Sequence, residues 1–305
     1  MADRFAGMRV FSEVAKAGAI SRAARALRMS ATMATKHVDA LEARLGVRLL
    51  HRTTRRLTLT EAGRDYLSAC ERILADVAEA DAAAAEGRAH PRGLLRVSAP
   101  NALGQREVMP LLPAFLALYP DLQVEMTLND RFVDLAAEGF DMAIRIGALS
   151  GASLIARKLA PARMLVCAAP AYLAQAGRPE TTADLARHAC LGYTLPEPAS
   201  AFRWLFGARG EIVAPIAPRL FSNNGEALRA AAVAGAGLVY LPSFIAGEDL
   251  RAGRLVAVDL DAPPAELDGV YAVTPPGRIP QAKTRALVAF LADAWAAPPW
   301  ERARR

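Results

Sequence analysis

The spacing of apolar residues changes character near Leu94, and one uniform architecture cannot serve both sides of that change. Before it, apolar residues recur every three to four positions, as in "MRVFSEVAKAG" (8–18); after it, short apolar runs such as "LLRVSAP" and "LQVEMTLN" alternate with helical stretches. A helix face repeats at about 3.6 residues and a strand face at about two. The front of the chain is therefore helical and the remainder α/β. With 305 residues, 53% of them hydrophobic, there is enough apolar surface for about two or three domains.

In the front part, Phe5, Met8, Phe11 and Val14 or Ala15 mark one helix face that Gly18 ends, and "AISRAARAL" (19–27) forms a second short helix. Ser30 is placed to cap a third helix, which Gly46 terminates. In that third helix Ala34, Val38, Leu41 and Leu45 share one side and leave Thr32, Thr35, Lys36 and Asp39 on the other. Helix, tight turn, helix is the arrangement that sets its second helix into a DNA major groove, where threonine methyls meet thymine and Lys36 meets phosphate or guanine. A plain solvated face is the alternative for the same residues.

The stretch "VRLLHRTTRRLTLT" then places Leu49 and His51, and Leu57 and Leu59, on either side of "RTTR", the pattern of two short strands and a tight turn. On such a wing Arg52, Arg55 and Arg56 would reach phosphates or the adjacent minor groove. Charge agrees with this placement. Residues 1–60 carry twelve Lys and Arg against four Asp and Glu, a net +8, whereas residues 61–92 carry −3 and the rest +1. A positive field confined to one small domain suits a polyanion, and without an amphipathic basic helix nucleic acid is favoured over a membrane surface.

The run from Phe11 through "VDALEARLGVRLLHRTTRRLTLTEAGRDYL" resembles the N-terminal winged helix-turn-helix of LysR-type transcriptional regulators. The resemblance implies an all-α winged helix-turn-helix DNA-binding domain over residues 1–60, a linker dimerisation helix and hinge over 61–92, and an effector-binding domain over 93–305. Family members usually open the recognition helix with Ser-Gln-Pro and continue with Ser-Arg-Gln; here those places hold Ser30-Ala31-Thr32 and Thr35-Lys36-His37. The operator bases read should differ accordingly, while the docking mode should not.

Thr60 caps a long helix running to Gly87, in which Leu67, Cys70, Leu74, Val77, Asp81 and Ala84 follow heptad spacing. Such a seam packs on a partner helix or on the next domain. The resemblance implies the former: a homodimer, paired into a homotetramer, with recognition helices on the half-sites of an inverted-repeat operator in double-stranded DNA. "GRAHPRG" (87–93), short and bearing Pro and Gly, reads as the hinge.

Past the hinge, strand "LLRVSAP", a helix around "EVMPLLPAFLALYP", strand "LQVEMTLN", helix "FVDLAAEG" and strand "DMAIRIG" predict a mainly parallel sheet, and a second similar set starts at "RMLVCAAP". Two α/β lobes joined by crossing strands resemble periplasmic binding proteins and the LysR-type effector domain, with lobe 1 over 93–162 and 268–298 and lobe 2 over 163–267. In open α/β sheets ligands bind beyond the carboxyl ends of the strands, here "SAPN", "RIG" and "SNNGEAL", the last opening a helix whose free N–H groups suit an anion. The resemblance places effector contacts at these loops, at Ser98, Asn101, Arg145, Gly147, Ser222 and Asn223. Arg145 has a second reading, as ion-pair partner of Asp141 or Asp134.

No catalytic or metal motif competes. "GALSG" is not GxSxG, no GxxxxGK[ST] occurs, the four histidines lack metal-ligand spacing, and Cys70, Cys167 and Cys190 form no CxxC pair. The uncharged run 230–247 is broken by Gly235, Gly237 and Pro242, which argues against a membrane span. The expectation is a cytoplasmic regulator, neither an enzyme nor a cofactor protein, that responds to a small organic effector, an organic acid or an aromatic compound, and recruits or excludes RNA polymerase. A constitutive DNA-binding repressor with a vestigial cleft is the alternative.

Overall fold

A computed structural model describes residues 4–52, 57–86, 90–131, 133–147, 155–195, 198–276 and 280–301. The chain divides into two compact units, Met1–His90 and Pro91–Arg305. The first runs α1 (Arg4–Ala17), α2 (Ile20–Ala26), α3 (Ala31–Leu45), β1 (Leu50–Arg52), β2 (Leu57–Leu59) and α4 (Glu61–Glu86). Local chemistry sets the boundaries. Ser30 Oγ accepts the Met33 N–H at 3.1 Å to start α3, and Gly46 in the left-handed region (φ 68°) ends it. Thr60 Oγ1 accepts the Gly63 N–H at 2.9 Å to start α4, and donates to the Arg48 carbonyl at 2.8 Å. β1 and β2 pair antiparallel, Leu50 opposite Leu59 and Arg52 opposite Leu57.

Phe11, Val14, Ala34, Val38, Leu41 and Leu50 form the buried centre of this unit, each large side chain contributing roughly 1.5–3 kcal/mol. Phe5 and Leu45, expected on the packed faces, are 46% and 37% exposed; they lie in the first turn of α1 and at the last position of α3, beyond the reach of the core. The heptad seam also divides. Cys70 is buried in the same core, Leu67 and Leu74 pack against it, and Tyr66 sits 5.9 Å from the Phe11 ring. The front half of the seam therefore serves its own helices, and Val77 is exposed; the side chains of Asp81 and Ala84 lie outside those described.

The second unit opens with β3 (Gly93–Ala99), α5 (Asn101–Leu103), α6 (Leu112–Leu118), β4 (Leu122–Leu128), β5 (Met142–Ile146) and β6 (Ile155–Ala160). It continues through β7 (Met164–Ala168), α7 (Pro170–Ala176), β8 (Leu191–Tyr193), β9 (Arg203–Phe206), β10 (Ile212–Pro215) and β11 (Leu220–Ser222). After these come α8 (Gly225–Val233), β12 (Val239–Pro242), α9 (Ser243–Arg251) and β13 (Val256–Ala257), and the chain returns with β14 (Val270–Thr274) and α10 (Ala282–Ala294). The first lobe is the five-stranded sheet β4-β3-β5-β14-β6; the second holds β12-β7-β13, the parallel pair β8 and β11, and the hairpin β9–β10. Where the chain crosses between lobes, Arg163 and Glu266 form an antiparallel bridge.

Three sequence expectations need correcting. The lobe 1 sheet is mixed: β3 runs parallel to β4 and β5, but β14, which returns from the other lobe, is antiparallel to β5 and β6, and both neighbours of β7 are antiparallel. Of the expected helix "FVDLAAEG", residues 133–139 form a turn, because the Asp134 carboxylate accepts the N–H groups of Ala136 and Ala137 at 3.0 Å and Gly139 (φ 78°) closes the segment. The helix expected near residue 107 starts at Asn101 and is composite, with a π turn over Gly104–Val108 and a 3-10 turn over Met109–Leu111 before α6. Pro110 and Pro113 lack the donors that one continuous helix would need.

Candidate nucleic-acid interface and ligand cleft

With Ala34, Val38 and Leu41 buried, the opposite side of α3 is open: Thr32 and Lys36 are exposed and Thr35 is half-buried. The Thr35 hydroxyl donates to the Ala31 carbonyl at 2.9 Å, so it meets an incoming group as an acceptor or through its methyl. The buried Glu42 carboxylate accepts the N–H groups of Leu49 (2.7 Å) and Leu50 (3.0 Å), fixing α3 to the strand that starts the wing. Arg52 stands at the outer end of β1; its side chain, and the whole of Arg55 and Arg56, lie outside the described residues. Sequence reasoning left out Arg22, Arg25 and Arg28, exposed on α2 and the turn after it. The net charge was the signal that could have found them.

In the second unit a cleft of about 610 Å³ opens between the lobes, within the range that holds a small ligand. Lobe 1 contributes Asn101, Asn129, Asp130, Arg131 and Arg145; lobe 2 contributes Tyr193, Asn224 and Tyr240 among apolar groups such as Met164 and Phe244. Asn101 donates its backbone N–H (2.9 Å) and Nδ2 (3.1 Å) to the two oxygens of Asp130. Arg145 is buried and donates from Nη1 to Ser98 Oγ (3.4 Å) and to the Ile144 carbonyl (3.2 Å). Burial pulls its pKa down, while the charge of Glu138 acts the other way. Burial, with the Asp130 charge behind it, pushes Tyr193 up to about 12; burial also pushes Tyr240 up to about 12. Both phenols are therefore neutral at pH 7. Tyr240 donates its proton to the Leu205 carbonyl at 2.6 Å.

Of the six positions expected to meet an effector, Asn101 and Arg145 line the cleft. Ser98 lies fully buried in β3 and accepts from Arg145. Gly147 (φ 80°) donates its N–H to the Gly269 carbonyl at 2.9 Å, and neither it nor Ser222 or Asn223 is among the lining residues. The helix after "SNN" begins later than the sequence suggested. Asn224 is its cap and accepts the Ala227 N–H at 3.0 Å, Ser222 Oγ accepts the Asn224 N–H at 3.1 Å, and Asn224 and Gly225 face the cleft. Asn129 and Asp130, which sequence reasoning missed, follow the carboxyl end of β4, so the strand-end rule already applied to β3 and β5 would have found them. Asp141 pairs with Lys283 at 2.9 Å and Asp134 caps its own turn, so both carboxylates considered for Arg145 are engaged elsewhere. Among the described residues there is no group of three or more His, Cys, Asp or Glu able to hold a metal, and no helix long and apolar enough to cross a membrane.

Known proteins share this organisation. Residues 5–64 match the family described as bacterial regulatory helix-turn-helix protein, lysR family, and residues 88–296 match the LysR substrate binding domain. An HTH-type transcriptional regulator of Xanthomonas campestris pv. campestris (strain 8004) is 35% identical over 287 residues, covering 92% of this chain and 83% of that protein. The HTH-type transcriptional regulator CrgA of Neisseria meningitidis serogroup B is 36% identical over 248 residues, covering 81% and 82%. The solved structure of CrgA, described as a LysR-type transcriptional regulator from Neisseria meningitidis, aligns with a TM-score of 0.62 at 31% identity over 95% of this chain and 98% of that one.

Proposed function

Because this chain belongs to the LysR family of transcriptional regulators, we propose that α3 and the wing read DNA through Thr32, Thr35, Lys36, Arg52, Arg55 and Arg56, and that the cleft takes a small organic effector through Asn101, Asp130, Arg145 and Asn224. The chain is a DNA-binding transcriptional regulator with an effector-binding unit. The observation that carries the residue-level reading is the two-sidedness of α3. Its apolar side is spent on the core, so a threonine and lysine face remains on a domain of net charge +8.

The mechanism follows from differential affinity. A dimer, paired into a tetramer, holds an inverted repeat, and an effector that prefers one arrangement of the lobes shifts the population toward it and so alters the spacing of the recognition helices. RNA polymerase is recruited or excluded accordingly, in the cytoplasm, and the reading requires no cofactor and no catalytic step. The mixed lining, apolar with a buried arginine, favours an organic acid or an aromatic compound as effector.

Two measurements test this. Full-length protein is screened by thermal shift against organic acids and aromatic compounds; a ligand at one hundred times its Kd stabilises by about 2.7 kcal/mol, and its footprint on DNA from the neighbouring genomic region should then change. A screen without any shift, together with unchanged footprints, would leave a constitutive DNA-binding protein.

A further inference from the structure

Six charged side chains in the second unit close into a ring. Arg106 places Nε and Nη2 on the two oxygens of Glu226 (Nη2–Oε2 3.1 Å). Glu226 Oε2 also accepts from Arg229 Nε at 2.8 Å, and Arg229 Nη1 donates to Asp249 Oδ2 at 2.7 Å. The other Asp249 oxygen accepts from Arg254 Nε, Arg254 Nη2 donates to Glu248 Oε1 at 3.1 Å, and Glu248 Oε2 returns to Arg106 Nη1 at 3.0 Å. Three cations and three anions alternate, so every member has two partners of opposite charge.

The membership is uneven. Glu226 and Arg229 stand on α8, Glu248 and Asp249 on α9, and Arg254 just beyond it, all in lobe 2; Arg106 alone comes from lobe 1. It sits in the π turn over Gly104–Val108, and π turns recur at functional sites. Both elements it joins also form lips of the cleft. The run containing Arg106 presents Asn101 and Ala102, and the start of α8 presents Gly225, with its cap Asn224, next to Glu226. Arg106 and Glu226 side chains are 18% and 23% exposed, so solvent screens this contact less than a surface pair.

We propose that Arg106 is the positioning residue of the cleft, a lobe 1 fork that closes a lobe 2 charge ring and thereby sets how far the two lips stand apart. The inference rests on the reading of the cleft as the effector site, but its test needs no effector. Without Arg106, Glu226 keeps Arg229 and Glu248 keeps Arg254, so lobe 2 retains its own pairs while the ring loses its lobe 1 member, and the apolar core that the lobes share is left intact. A lysine in its place keeps the charge but loses the bidentate fork.

Paired spin labels read the outcome. Cysteines are introduced at exposed Gln123 on lobe 1 and exposed Val213 on lobe 2; the three native cysteines are buried. Labelled full-length protein is diluted with excess unlabelled protein, so that only distances within one chain are seen. The parent should give one distance population, Arg106→Gln a second, longer one, and Arg106→Lys a mixture between the two. Superimposable distributions for the parent and Arg106→Gln would overturn the proposal, as would loss of cooperative unfolding in Arg106→Gln, which would make the residue a fold determinant only. A cleft that takes no small molecule leaves these distances untouched and counts against the effector reading alone.

Discussion

Glu42 shows how one side chain can carry a DNA-reading surface it never touches. Its buried carboxylate holds the N–H groups of Leu49 and Leu50, so Glu42→Ala should leave two buried donors unsatisfied and cost about 2–6 kcal/mol in chemical denaturation, at roughly 1–3 kcal/mol per group. Lys36→Ala should leave stability unchanged and weaken DNA binding by about 1 kcal/mol or more, with a shallower salt dependence if the contact is to phosphate. An unchanged affinity in titrations at low salt would remove Lys36 from the interface. The cysteines give a prediction of the opposite kind. Burial pushes Cys70 up to about 11 and Cys167 and Cys190 up to about 12. At pH 8 all three therefore stay overwhelmingly in the neutral thiol form, and the thiolate is the reactive one. A thiol reagent should leave the folded protein unmodified and react with all three after unfolding in guanidinium; labelling of any of them in the native state would contradict the burial.

At the scale of elements, the joint between the wing and α4 depends on close approach. A Cβ at Gly63 would stand 2.0 Å from the Leu49 carbonyl oxygen, so Gly63→Ala should force β1 and α4 apart and destabilise the first unit by about 3 kcal/mol or more, at the upper end of overpacking costs. Gly46→Ala meets open space but keeps a left-handed φ of 68°, and should cost only about 1–2 kcal/mol. Calorimetry that ranks the two variants in reverse would contradict this account. These elements were legible in the sequence because their determinants are local: the Ser30 and Thr60 caps and the Gly46 stop act within three residues of the boundary they set. Strand pairing in the second unit was not legible, since β14 joins a sheet whose other members precede it by more than a hundred residues and nothing in "GVYAVTP" states its direction. The seam on α4 was half legible. Periodicity found the stripe but could not say that Cys70 already has a partner in Phe11's core.

For the whole molecule, the cleft was legible to within one or two residues at each strand end. Asn101 and Arg145 line it, Asn224 takes the place next to the expected Asn223, and Asp130 enters because it holds Asn101 across 29 positions of sequence. The charge ring was invisible, since Arg106 finds partners 120 and 142 residues away. That ring predicts an acid limit. Burial raises the Glu226 and Asp249 carboxyls, but Arg106 and Arg229, and Arg229 and Arg254, outweigh it and hold both below their ordinary values. A carboxylate with a lowered folded-state pKa contributes stability above its unfolded value near about 4 and loses it as pH falls through the folded one. The second unit should therefore keep its unfolding midpoint from pH 7 to about 5 and lose it progressively below about 4, and a midpoint that is flat to pH 3 would mean the ring contributes nothing. The central claim, a cationic winged helix reading duplex DNA, is tested most directly by fluorescence anisotropy of the full-length protein on duplexes from its genomic neighbourhood across a salt series. The account predicts one duplex bound well above the others, with log affinity falling linearly against log salt and a weaker complex for Lys36→Ala; equal or absent binding to every duplex at low ionic strength would contradict it.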